Sequence, residues 1–265
     1  MARDMNLNVG IQDLKQGTNI LTIEVPPALE LKRSTGIKWF NEALGGQGLT
    51  PSTSMMLTGS PGVGKSTFFL QLADALTGEG HTVLMNTGEE SLYQVRMVAK
   101  RLNLRHGFVA GQDIYVGDLL AHADALRKKK PQKQVIILQD SLQTLNDGYY
   151  KDGGTTSNTP IRCCEALTNW AKAAYDLPDG SQSFGIVIFV GQVNKSGEFS
   201  GKNGIKHMVD VHGSLYFDED PKSETYGQRL FEIYKNRFGC NGKTFILGCG
   251  DRGLFEQGSY QKGAK

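Results

Sequence analysis

The sequence predicts an α/β fold: a mostly parallel central sheet flanked by helices, with antiparallel strands at its C-terminal end. Three observations lead there. Residues 134–138 (QVIIL) and 185–190 (GIVIFV) are continuous apolar runs, as strands covered on both faces require. Residues 54–58, 82–86 and 113–116 read as further strands, each followed by a helical pattern, so strand, loop and helix repeat. After about residue 210 the alternation stops. Residues 214–217, 229–234, 243–247 and 253–255 are strand-like with no long helix between them, the pattern of antiparallel strands joined by short turns.

Taken in order, residues 1–33 read as a polar lead-in with one short strand, 20–25, stopped by Pro26 and Pro27. A helix over 37–44 ends at Gly45 and Gly46, where glycine suits a helix C-terminus. Helices follow over 66–76, 92–102 and 118–130. The last closes on Lys128, Lys129 and Lys130 before Pro131, and cations favour that end of a helix. Residues 152–159 (DGGTTSNT) have the composition of a mobile loop, and 161–175 read as a helix. The main unit is expected over 34–256, with 257–265 as a disordered tail.

Composition narrows the function classes. A chain of 265 residues buries one large core comfortably. A net charge of +2 does not by itself announce a nucleic-acid binder, although clustered lysines permit one. Cys163, Cys164, Cys240 and Cys249 form no C-x-x-C pair, so we read them as reduced packing residues and expect neither zinc nor a disulfide framework. No leader pattern is recognised, and the longest apolar run, 186–190, is too short to span a bilayer. The expected location is cytoplasmic.

The chemistry concentrates in Gly59, Ser60, Pro61, Gly62, Val63, Gly64, Lys65 and Ser66, followed by Thr67, between a strand and a helix. This G-x-x-x-x-G-K-S pattern wraps backbone N–H groups around phosphate oxygens and feeds them into a helix N-terminus. Lys65 is placed for the β- and γ-phosphates and Ser66 for Mg²⁺. Asp140 directly follows QVIIL, at the strand edge where ligands sit in open α/β sheets, and is the second candidate for the metal. Glu89 follows the strand TVLMN and is our candidate for orienting and polarising the attacking water. Gln192 ends the strand GIVIFV, with its amide aimed at the γ-phosphate or that water.

These segments occur in a familiar order: STGIKWFNEALGG, LTGSPGVGKST, NTGEESLYQVRMVAKRL, a strand ending in QDSLQT, GQVNKSGEF, HMVD, LYF and KNRFG. Over about 34–256 the chain resembles the bacterial RadA/Sms family, RecA-like ATPases related to replicative helicases. The resemblance implies a RecA-like P-loop NTPase fold, ATP hydrolysis with Mg²⁺, hexameric rings, single-stranded DNA binding and branch migration in recombinational repair. It also implies that Lys235 and Arg237 of KNRFG reach a neighbouring subunit's nucleotide, as trans-acting cations do in phosphoryl transfer. The stretch 194–207 matches the family's DNA loop, so Lys195, Lys202 and Lys206 are expected on phosphates and Phe199 on a base. Tyr93 and Arg96 are candidates to flank the adenine.

The chain departs from the family's pattern. The usual four-cysteine zinc module and Lon-like domain are not found, CNGKT follows KNRFG, and Gln192 stands where histidine is common. This reads as a core-only relative. Two alternatives remain: a RecA-like signalling or assembly ATPase with protein partners, and a nucleotide-binding module that does not hydrolyse. A small-molecule kinase is disfavoured because no arginine-rich lid is found.

Overall fold

The structure is a computed structural model, which describes residues 19–192 and 204–261. In chain order its elements are α1 (Pro27–Glu30), α2 (Lys38–Ala43), β1 (Ser54–Gly59), α3 (Lys65–Gly78), β2 (Thr82–Thr87), α4 (Leu92–Arg101) and β3 (Val109–Gly111). There follow α5 (Val116–Lys129), β4 (Val135–Asp140), α6 (Thr159–Lys172), β5 (Tyr175–Asp176), β6 (Gln182–Ser183), β7 (Ile186–Gln192) and α7 (Gly204–Met208). Strands β8 (Val211–Phe217), β9 (Arg229–Asn236), β10 (Lys243–Gly250) and β11 (Gly253–Gln261) complete the chain.

Nine strands form one sheet in the order β11-β10-β9-β8-β1-β7-β4-β2-β3. From β8 to β3 neighbours run parallel, whereas β9, β10 and β11 are antiparallel additions. The expected mixed architecture is therefore present. Strands β1, β2 and β4 are buried along their whole length and β7 along all but its last residue, which is why β4 and β7 carry the continuous apolar runs seen in the sequence.

Each face of the sheet carries its own core. On one face Trp39, Phe40, Phe68, Phe231 and Phe245 pack ring against ring, with centroids as close as 5.1 Å. Aromatics of α2 and α3 thereby lock onto the antiparallel strands. On the other face α5, α6 and α7 pack through Leu119, Cys163, Cys164, Leu167 and Ile205 onto Val187 and Phe189. Burial pushes the Cys163 and Cys164 thiols up to about 12, so both stay neutral packing groups. Cys240 and Cys249 are exposed, so the packing role expected of all four holds for two.

Four other local expectations are corrected. Residues 20–25 do not form a strand; Ile20–Thr22 is a 3₁₀ turn capped by the Asn19 side chain. The third strand lies at Val109–Gly111 and not at 113–116, because the Asp113 N–H donates to the Asn86 side chain and ends the strand pattern there. Helix α6 stops at Lys172, and Tyr175–Asp176 pairs with Gln182–Ser183 as a small hairpin. The tail was expected to be disordered from 257, but β11 runs on to Gln261, with Gly258, Ser259, Tyr260 and Gln261 all paired with β10. The end of the lead-in is also tied in: Arg33 and Leu49 exchange backbone hydrogen bonds of 2.7 and 2.8 Å.

Candidate active site

β1 ends by driving its backbone against β8. A Cβ on Gly59 would lie 2.0 Å from the Leu215 carbonyl oxygen, so only glycine fits there. Gly64, at φ +102°, makes the left-handed turn that starts α3 at Lys65. These two glycines aim the first turn of α3 into a cavity of about 390 Å³ at the C-terminal edge of the parallel strands. The cavity is lined by Gly59, Pro61, Gly62, Lys65, Ser66, Glu89, Asp140, Ser141, Val190 and Gln192. Five residues picked from sequence for the reaction, Lys65, Ser66, Glu89, Asp140 and Gln192, thus share one cavity.

Their contacts assign each a chemical capacity. Lys65 Nζ donates to the Gly59 and Ser60 carbonyls at 2.8 and 2.9 Å. Burial lowers its pKa, and the Asp140 and Glu89 carboxylates pull the other way. Asp140 accepts a hydrogen bond from the Ser66 hydroxyl, yet burial dominates and raises its pKa, with the Glu89 and Glu90 charges adding to the rise. A buried carboxylate already touching a hydroxyl, beside other carboxylates, is a donor set suited to a divalent cation, so Ser66 and Asp140 fit Mg²⁺. No cluster of three or more His, Cys, Asp or Glu ligands occurs among the described residues.

Glu89 is held from two strand ends. Its Oε1 accepts from the Ser141 hydroxyl at 2.9 Å and from Gln192 Nε2 at 2.7 Å. Ser141 was not foreseen from sequence. It is fixed in turn: its carbonyl accepts from Gln139 Nε2 and Thr144 Oγ1, both at 2.8 Å. The backbone N–H of Gln192 donates to Gln143 Oε1 at 3.3 Å. β2, β4 and β7 therefore meet at one carboxylate. Helix α4 is capped separately by Ser91 through a capping box with Gln94, which leaves Glu89 and Glu90 outside that cap.

Arg229 was also missed. Its Nε donates to the Val63 carbonyl at 2.8 Å, and its guanidinium lies 4.9 Å from the Phe217 ring centre. Leu254 reaches to 3.5 Å from where a Gly64 side chain would begin. A cation, an aromatic face and an aliphatic side chain therefore stand on the β8 side of the phosphate loop. Tyr93 and Arg96 do not line the cavity; both are exposed on α4.

Lys235 and Arg237 lie at the other end of β1. β9 runs antiparallel to β8, pairing Arg229 with Phe217 and Asn236 with Val211, and Val211 pairs with Met55 near the start of β1. Most of β1, on the order of 15 Å, separates them from their own phosphate loop. There Lys235 Nζ donates to the carbonyls of Lys206, His207 and Val209 at 3.1, 3.0 and 2.6 Å, capping the end of α7. Arg237 Nη1 donates to Asp210 Oδ1 at 2.9 Å, and Lys172 shares that oxygen at 3.1 Å. Lys206 is half-buried on α7; Lys195, Phe199 and Lys202 lie outside the described residues.

No family model matches the sequence. Individual relatives do. The DNA repair protein RadA of Mycolicibacterium smegmatis is 32% identical over 234 residues, 87% of this chain and 46% of that protein. RadA of Bacillus subtilis is 31% identical over 93% of this chain and 49% of its own length. RadA of Listeria monocytogenes is 33% identical over 88% and 47%. Over most of its length the chain is thus similar to RadA proteins. It spans about half the length of these RadA relatives. Among solved structures, a DnaB-like replicative helicase superposes with a TM-score of 0.65 at 16% identity, covering 82% of this chain and 59% of that one. A separately solved ATPase domain superposes at 0.66 and 16%, covering 81% and 86%. These likenesses establish the RecA-like fold of the core.

Proposed function

We propose that this RadA-type core hydrolyses ATP with Mg²⁺, binds single-stranded DNA and works as a ring, hexameric by the family's pattern, in which each nucleotide site is completed by the next subunit. The observation that carries the hydrolytic reading is the doubly anchored Glu89 carboxylate, which shares a cavity with Lys65, Ser66 and Asp140. Anchoring by Ser141 and Gln192 leaves the second carboxylate oxygen for a water, the requirement for a group that polarises a nucleophile. A module that only stored nucleotide would not need this arrangement.

In this reading the glycine-loop N–H groups and Lys65 bind the β- and γ-phosphates. Bound Mg²⁺, held by Ser66 and Asp140, supplies charge neutralisation on the phosphates. Glu89 orients the attacking water and takes up its proton, and Gln192 ties Glu89 to the end of β7. The γ end of the triphosphate faces β2, β4 and β7, so the nucleoside end points across β1 toward Arg229, Phe217 and Leu254. We assign the base to that side and not to Tyr93 and Arg96.

Lys235 and Arg237 are too far from their own phosphate loop to serve it, which supports a role at a neighbour's nucleotide. The test is ATP turnover with Mg²⁺, with and without single-stranded DNA, alongside assembly mass with an ATP analogue. Stimulated turnover and a multi-subunit assembly are expected. Brisk turnover by a monomer, unchanged by any polynucleotide, contradicts both the ring and the DNA.

A further inference from the structure

Asp210 is a buried carboxylate shared by two cations. It lies just before β8, with its side chain only 2% exposed. Lys172 Nζ, at the end of α6, and Arg237 Nη1, just past β9, both bond its Oδ1, at 3.1 and 2.9 Å. Its Oδ2 accepts from the Ser54 N–H at 3.1 Å and from the Ser54 hydroxyl at 3.0 Å, at the start of β1. Lys235 stands near the same group. Burial lowers its pKa, the Arg237 and Lys172 charges add to the fall, and Asp210 opposes it.

The two partners of Asp210 are held differently. Arginine grips a carboxylate best as a fork, with parallel N–H bonds to both oxygens. Ser54 occupies Oδ2 and Lys172 shares Oδ1, so the Arg237 guanidinium keeps a single bond to this carboxylate. Its side chain is 50% exposed, against 26% for Lys172. The Arg237 backbone N–H also donates to the Asp210 carbonyl at 3.2 Å, which fixes the main chain and leaves movement to the side chain. Stranding a buried carboxylate is strongly unfavourable. If the guanidinium left, however, Asp210 would still hold Lys172 and both Ser54 bonds.

We propose that Lys172 is a standby counter-ion that lets Arg237 leave Asp210 for a phosphate of the neighbouring subunit's nucleotide. This deepens the proposed function and rests on its trans-acting Arg237. Asp210 and Lys172 are positioning residues in this account. Asp210 parks the guanidinium within its own subunit. On assembly Arg237 exchanges one shared carboxylate oxygen for phosphate oxygens, and Lys172 keeps Asp210 neutralised. Lys235, bonded to three carbonyls at the end of α7, is the less easily released of the two KNRFG cations.

The experiment measures ATP turnover with Mg²⁺, nucleotide affinity, and assembly mass with an ATP analogue, all on the full chain. Lys172→Met keeps the aliphatic stem and removes the charge, so Arg237 becomes the remaining cation on Asp210 and leaves it less readily. Turnover falls about tenfold, the equivalent of one charge-assisted hydrogen bond, while nucleotide affinity and assembly mass stay as in wild type. Lys172→Arg keeps the turnover. Asp210→Asn added to Lys172→Met restores most of the loss, because a neutral amide needs no counter-ion and holds Arg237 weakly. Unaltered turnover in Lys172→Met overturns the proposal, and so does a loss that Asp210→Asn fails to restore. A loss that comes with weaker nucleotide binding or a smaller assembly makes Lys172 a residue of the fold alone and also overturns it. If Arg237→Ala turns over like wild type, the trans-acting reading falls and the proposal with it.

Discussion

The two ends of β1 hold their charged groups in opposite ways. At the C-terminal end, Lys65, Ser66, Glu89 and Asp140 converge on one cavity, and burial shifts Lys65 and Asp140 toward their neutral forms. At the N-terminal end, Lys235 and Arg237 are spread along a strand terminus. One is bonded to the last carbonyls of α7 and the other to Asp210. In the proposed reading the first end binds and cuts ATP. The second is linked, through α7, to the segment that carries the expected DNA contacts. The two groups are too far apart to meet within one subunit, which is why the proposed function pairs each with its counterpart on a neighbour.

The largest effect that sharpens this contrast is at the far end. Arg237→Ala is expected to lower turnover by about 10³–10⁵-fold, the range for a trans-acting arginine, with ATP binding retained. Single-turnover and nucleotide-binding assays separate the two. Glu89→Gln comes next, with a loss of about 10²–10⁴-fold in turnover and little change in nucleotide affinity. Ser141→Ala removes one of the two bonds that hold Glu89. It should cost about 10-fold in turnover, a hydrogen bond to a charged group being worth ~1.5 kcal/mol or more. Turnover equal to wild type in Ser141→Ala would mean that Gln192 alone positions the carboxylate.

The smallest effect concerns stability at the far end. His212 lies 2.9 Å from the Thr58 hydroxyl, and burial, with Lys206 and Lys235 adding, pushes its pKa from 6.5 down to about 4. The folded chain keeps this imidazole neutral where the unfolded chain would protonate it. Its contribution is therefore complete above pH 6.5 and is lost as pH falls toward about 4. The slope is up to about 1.4 kcal/mol per pH unit. Denaturant midpoints from pH 7 to 5 should fall less steeply in His212→Gln than in wild type.

How much was legible in the sequence follows from the same contrast. That the glycine loop, Glu89, Asp140 and Gln192 converge on one cavity was legible because each follows an apolar strand, and strand ends in a parallel sheet share an edge. Ser141 and Arg229 were not, because their partners are 52 and 166 residues away and only the folded sheet joins them. The strand at 113–116 failed because Asp113 pairs locally with Asn86, which apolar periodicity does not reveal. The tail failed because 257–261 is polar and mostly exposed as an edge strand, so it carries no burial signal. The bonds that Lys235 makes within its own subunit were hidden too: a cation on a strand end looks the same whether it caps a helix or faces a neighbour.

The central claim is that two half-sites on different subunits make one working site. It is tested most directly by mixing a Lys65→Ala variant with an Arg237→Ala variant and measuring ATP turnover. Each alone should be inactive. A one-to-one mixture should recover about a quarter of wild-type turnover, since that share of head-to-tail pairings joins an intact phosphate loop to an intact Arg237. No recovery in assemblies shown to contain both variants would contradict the account.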